Sequence, residues 1–115
     1  METMNFFLDK IKMTVIKTAA NGVVNSDTVF SFTQKGNTVT AEYAGGQIKK
    51  GFLVGIINGK ELKFSYCQVQ TDDHLDNGIS SCELSISEKG KIRLVEHFEW
   101  KSRPGEMGIN VFEEC

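Results

Sequence analysis

The feature that most constrains this chain is an alternation of apolar and polar residues with a period of two, broken every eight to twelve residues by glycine-bearing turns. Period two is the pleat of a β-strand, in which successive side chains point to opposite faces. Ile11, Met13 and Val15 alternate with Lys12 and Thr14 in a first strand whose segment ends near Asn21-Gly22. Thr28–Gln34 sets Phe30 and Phe32 against Ser31 and Thr33, and Lys35-Gly36 turns the chain into Thr38–Tyr43. Gly45-Gly46 precedes Ile48–Ile57, and Asn58-Gly59 is a strong hairpin signal before Leu62–Gln70. A polar loop, Thr71–Gly78, leads to Ile79–Ser87; Glu88-Lys89-Gly90 turns into Lys91–Lys101, and Pro104-Gly105 turns into Gly108–Glu113.

About eight strands joined mostly by short turns make an all-β antiparallel meander. A meander must dispose of its two edges, and it does so by closing into an up-and-down barrel or by curling strongly. Alternation alone leaves both open. Residues 1–10 form an N-terminal extension with one marginal helical turn around Asn5–Lys10, and residues 11–115 form a single β domain. A chain of 115 residues can bury a core without staples.

Composition excludes several function classes. The net charge of −2 argues against a nucleic-acid partner. The longest apolar stretch, Gly51–Ile57, is far short of the ~20 residues of a membrane helix. Cys67, Cys82 and Cys115 match no ligand spacing, so neither metal nor other cofactor is expected, and free thiols fit a reducing cytoplasm. Asp72-Asp73-His74-Leu75-Asp76-Asn77-Gly78 lacks the sixth-place glycine of a calcium loop and reads as a solvated hairpin loop. His97 falls on an outward face with Arg93, Val95 and Glu99, and the strand serines match no nucleophile elbow.

Two segments are more distinctive than their composition: Ala41–Gly55 (AEYAGGQIKKGFLVG), and Gly90–Glu96 with Phe98-Glu99-Trp100. With them the chain resembles, over Ile11–Glu114, a family of small bacterial β proteins often labelled N-acetylglutamate synthase. The resemblance implies one compact β-rich domain and, by the label, an acetyltransferase. The residues themselves supply no glycine cluster opening a helix, the usual cradle for a pyrophosphate.

Polar residues on inward faces carry the candidate site. Glu96 interrupts the face of Ile92, Leu94, Phe98 and Trp100, and Gln68 continues the face of Leu62, Phe64 and Tyr66. A carboxylate in apolar surroundings is costly unless it is paired, hydrogen-bonded or protonated, or reaches water at the rim. A three-residue Glu88–Gly90 loop sets Cys82 opposite Glu96, and a two-residue Pro104-Gly105 turn sets Glu113 opposite it. The expected ligand-binding set is therefore Glu96, Glu113, Tyr66, Gln68 and Cys82. The expected function is non-enzymatic binding of a small molecule in or at the mouth of the sheet. The alternatives are the acetyltransferase of the label and an interaction module or homo-oligomer. A three-residue Asn58–Lys60 loop is expected to turn Phe52, Val54 and Ile56 inward beside Leu62 and Phe64.

Overall fold

The computed structural model describes residues 5–115. Its strands are β1 (Lys12–Lys17), β2 (Val29–Lys35), β3 (Thr38–Gly45), β4 (Ile48–Asn58), β5 (Glu61–Gln70), β6 (Leu75–Ile86), β7 (Ile92–Trp100) and β8 (Met107–Glu114). Each pairs antiparallel with the next, and β1 pairs with β8, so the meander closes into a barrel. Closure pairs the two strands that would otherwise be open edges. The expected helical turn at Asn5–Lys10 is absent. There the backbone bonds to β2 instead: Leu8 N–H donates to the Gln34 side chain, Lys10 N–H donates to Phe32 C=O, and the Asp9 carboxylate accepts Gln34 N–H. Leu8 is thereby held fully buried in the core.

Three hairpins share one loop form. Gly36-Asn37, Gly46-Gln47 and Gly59-Lys60 are two-residue loops with glycine first, at φ of 60°, 61° and 62°. Glycine at the first loop position, with left-handed φ, twists the hairpin in the sense of its strands. This corrects the expected Asn58–Lys60 loop. Asn58 pairs with Glu61, Leu53 with Tyr66 and Gly55 with Phe64. A one-residue shift exchanges the faces of a strand. Leu53 and Ile57 are therefore buried, while Phe52, Val54 and Ile56 face outward at 50%, 54% and 60% exposure.

Large rings and glycines are matched across the interior. A Cβ placed on Gly51 would collide with the Tyr43 ring, on Gly78 with the Tyr66 ring and on Gly108 with the Phe98 ring, while on Gly55 it would meet the Lys63 C=O and the Phe64 Cβ. In each case the glycine is the directly paired residue on the neighbouring strand. Rings in a barrel this narrow have little free space, so the missing side chains make room for them. Phe30 stacks on Tyr43 with centroids 4.3 Å apart and meets Phe112 edge-on at 4.6 Å. The expected loop at Thr71–Gly78 is shorter than the sequence suggests, because β6 already begins at Leu75. Asp76 and Gly78 both lie inward on it, the first neutralised by an arginine and the second covered by Tyr66.

Gly51→Ala, which would drive a methyl into the Tyr43 ring, is expected to destabilise the barrel by ~1–3 kcal/mol, the usual cost of overpacking a tight core. Ser65→Ala on the outer face should change stability by less than ~0.5 kcal/mol. Urea unfolding of both variants checks the difference; equal stabilities would contradict the matching of ring to glycine.

Candidate functional site

One end of the barrel is formed by the 18–28 connection, the Gly46-Gln47 turn, residues 71–74 and residues 101–106. Just inside it, inward positions of five strands converge: Tyr43 on β3, Tyr66 and Gln68 on β5, Ser80 on β6, Glu96 and Trp100 on β7, and Asn110 on β8. All are buried. All but Ser80 line a cavity of about 30 Å³ whose roof is Gly22–Val24 of the 18–28 connection. That volume suits a water or two and is far below the ~300 Å³ of an ordinary ligand pocket.

The polar groups inside are organised into two chains. The Tyr43 hydroxyl donates to Gln68 Oε1 at 2.8 Å. Ser80 Oγ donates to Glu96 Oε2 at 2.6 Å, and Asn110 Nδ2 donates to Glu96 Oε1 at 3.0 Å. The orientation of the Asn110 amide follows from its other end, where Oδ1 accepts the Ala19 backbone N–H at 2.8 Å. A backbone N–H can only donate, so Nδ2 must face Glu96 and Oε1 must accept. Asn110 thus ties the roof to the buried carboxyl.

Burial pushes the Glu96 carboxyl above the ordinary range, against the lowering effect of the bonds from Ser80 and Asn110. Burial also raises the phenols of Tyr43 and Tyr66 and the thiol of Cys82, with a further push from Glu96. Cys82 pairs with Glu96 in register as expected, but its thiol is buried, with its pKa far above that of a reactive cysteine. Trp100 is 2% exposed, and its Nε1–H has no partner among the described residues.

The expected pairing of Glu96 with Glu113 is not present. Glu96 pairs with Asn110, and Glu113 pairs with Arg93 on the outer face, where Arg93 Nη2 lies 3.1 Å from its carboxylate. The reason is the connection between β7 and β8, which is longer than a Pro104-Gly105 hairpin. Arg103 is drawn to Asp76, with Nη2 to Oδ2 at 2.8 Å and Nε to Oδ1 at 3.2 Å, and Ser102 Oγ donates to Asp76 Oδ1 at 2.8 Å. Burial alone would raise the Asp76 carboxyl, but these bonds, one from Gln70, and the Arg103 charge hold it below the usual range. The guanidinium also lies over the Trp100 ring, 4.5 Å from its centroid.

Of the expected set, Glu96, Tyr66 and Gln68 line the cavity together. Cys82 lies beside Glu96 in register, and Glu113 is on the opposite face of the sheet. Tyr43, Ser80, Trp100 and Asn110 complete the arrangement. Ser80 could have been found, since it shares its strand face with Cys82. Among the described residues no group of His, Cys, Asp or Glu is arranged to hold a metal.

A pH experiment isolates Glu96. A folded-state pKa raised above the unfolded one gives stability that is present in acid and lost as pH rises through the folded pKa. Gln at this position keeps an acceptor for Asn110 and lacks that loss. Glu96→Gln should therefore gain stability relative to wild type as pH rises above the ordinary carboxylate range in urea titrations. A difference that stays constant with pH would contradict the placement of the carboxyl.

A family model described as avidin-like protein matches residues 6–115. Among solved structures, a biotin binding protein from chicken superimposes with a TM-score of 0.60 at 13% identity, covering 94% of this chain and 95% of that one. No curated protein matches. The expected kinship with proteins labelled N-acetylglutamate synthase is corrected by the family match, which takes in the segments on which that resemblance rested. With that match running from residue 6 to residue 115, and with eight antiparallel strands closed in sequence order, the chain belongs to the avidin-like protein family.

Proposed function

We propose that this chain binds a small molecule of the biotin kind, compact and largely apolar with a polar head, at the end of the barrel that holds Glu96. The carrying observation is the convergence of Tyr43, Tyr66, Gln68, Glu96, Asn110 and Trp100 on one cavity in an aromatic interior. Apolar walls with a few placed polar groups are the usual composition of a ligand pocket. Family membership and the similarity to the chicken biotin binding protein support the same reading. The ligand needs more than about 30 Å³, so the roof at Gly22–Val24 has to lift as it enters. The bonds to be broken are few: Ala19 N–H to Asn110, and Asn21 Nδ2 to Met107 C=O. The turn at 101–106 is the fixed side of the mouth, held by Asp76 and by Lys101 and Ser102 N–H donating to Asn77 C=O. Three free thiols support a reducing compartment.

A second copy of the chain is the partner we propose for the outer face of β3–β6. Phe52, Val54, Ile56, Leu75 and Ile79 face outward there as an exposed apolar patch at 44–64% exposure, with Glu42, Lys50, Glu61, Lys63 and Glu83 outward on the same strands. Apolar enrichment inside a polar and charged rim is the arrangement of an interface core. Four strands ~4.8 Å apart and about eight residues long give a footprint of roughly 500 Å² before pleating adds to it, near the ~600–800 Å² per partner of a standard interface.

Trp100 is the single tryptophan and lines the cavity, so its fluorescence reports occupancy. Biotin is expected to change that emission saturably and to raise the melting temperature, with about 2.7 kcal/mol of added stability at a hundredfold excess over Kd. No response to biotin, desthiobiotin or 2-iminobiotin would refute the reading. For the outer face, light scattering should give twice the 12.8 kDa chain mass, falling to one chain in Val54→Lys. A wild-type monomer would sink the dimer.

A further inference from the structure

Glu96 has an accounting problem that the barrel does not solve by itself. It is 6% exposed, and an ionised carboxylate can accept about four hydrogen bonds. Ser80 and Asn110 supply two, both from neutral groups. Among the described residues no Lys, Arg or His pairs with it. Arg103 is committed to Asp76 and Arg93 to Glu113, and the paired lysines are spent on exposed acids. An uncompensated charge inside an apolar barrel is expensive, and removing the cost takes a proton or a cation.

The walls around it favour the cation. Tyr43, Phe64, Tyr66, Phe98 and Trp100 line the same cavity, and the faces of aromatic rings attract positive charge. Trp100 already takes one guanidinium, that of Arg103, over its ring. Its Nε1–H is buried without a partner among the described residues.

We propose that Glu96 recognises a cationic nitrogen group, an amidinium or guanidinium, so that the site prefers a cyclic guanidinium to the neutral urea of the same shape. The inference rests on the small-molecule reading of the barrel and specifies the head group that enters it. Either head offers N–H donors to the free lone pairs of Glu96. Only the cation also neutralises the carboxylate, and charge-assisted hydrogen bonds are roughly twice as strong as neutral ones.

Proton and cation compete for the same carboxylate. The groups facing it are Ser80 and Cys82 on β6, Asn110 on β8, Tyr43 on β3, Tyr66 and Gln68 on β5, and Gly22–Val24 from the roof. The titratable ones, Cys82, Tyr43 and Tyr66, are all pushed upward by burial and stay neutral near neutrality. The Asp76–Arg103 pair at the rim stays ionised, since each partner favours the charge of the other. Acid should therefore weaken cation binding through Glu96.

The test uses the full chain and two matched pairs: 2-iminobiotin against biotin, and methylguanidinium against methylurea. Trp100 emission and titration calorimetry report binding at about pH 8 and again at about pH 5. The guanidinium member of each pair is expected to bind about tenfold tighter or more at the higher pH, with that margin shrinking in acid. In Glu96→Gln the preference should fall below about twofold, while wild-type preference and pH dependence stand as tests if the variant does not fold. Equal affinities, or a tighter urea, overturn the cationic head group and leave small-molecule binding intact. No response to any of the four overturns both.

Discussion

Everything in this protein follows from the pairing of β1 with β8. Until those strands meet, the chain is a curled sheet with two open edges and a face that water can reach. Once Met13 pairs with Glu114 and Val15 with Phe112, every inward side chain is enclosed. Polar groups on that side must then find partners within the barrel. Tyr43 finds Gln68, Gln70 and Arg103 find Asp76, and Ser80 and Asn110 find Glu96. The candidate site is thus a consequence of closure, the place where buried polar groups meet partners of the barrel instead of water, and where Glu96 receives two donors only. β1 is also the strand with the fewest register pairs to its neighbours, and its bulge between Val15 and Lys17 leads directly into the roof.

The interior is governed by a second constraint, the width of an eight-stranded barrel. Several rings fit because a partner strand withdraws its side chain, as at Tyr43 over Gly51 and Phe98 over Gly108. A similar economy appears in the hairpins, where the first loop residue is glycine and the strands pair immediately outside it. The result is a core filled largely by its own aromatic side chains. Little volume is left at the open end, and admission of a ligand becomes a question about the roof.

The sequence made the alternation, the number of strands and the inward position of Glu96 legible because these depend on local periodicity. The Ile86–Ile92 and Cys82–Glu96 pairings were legible too, since the Glu88–Gly90 loop is short and its pattern unambiguous. Registers failed where the deciding contact was distant. Reading Asn58-Gly59-Lys60 as the loop reversed the faces of Phe52 and Leu53, because which glycine position opens the loop depends on strand twist and not on local composition. Glu113 was misplaced because Arg103 reaches Asp76, 27 residues away, and lengthens the connection between β7 and β8. Asn110 came with that error. Kinship was obscured for a related reason: at 13% identity to the chicken protein, the fold rests on alternation and turn placement, which many different side chains satisfy.

Asn110 is where these constraints meet. Its Nδ2 holds the carboxyl of Glu96, and its Oδ1 holds the backbone of Ala19 at the start of the roof. When the roof lifts, Ala19 N–H passes into water, where a backbone donor is satisfied at little cost. Asn110 Oδ1 would be left as an unpaired acceptor in the mouth, beside the free lone pairs of Glu96 and the Nε1–H of Trp100, which has no partner among the described residues. An open barrel therefore presents two acceptors and one donor to whatever enters, and an empty open barrel leaves all three to water. The closed form satisfies the first of them with its own chain. Opening exchanges one backbone hydrogen bond for contacts that only a ligand with several N–H donors and one acceptor can make together, so the same asparagine that seals the site also sets the terms on which it opens.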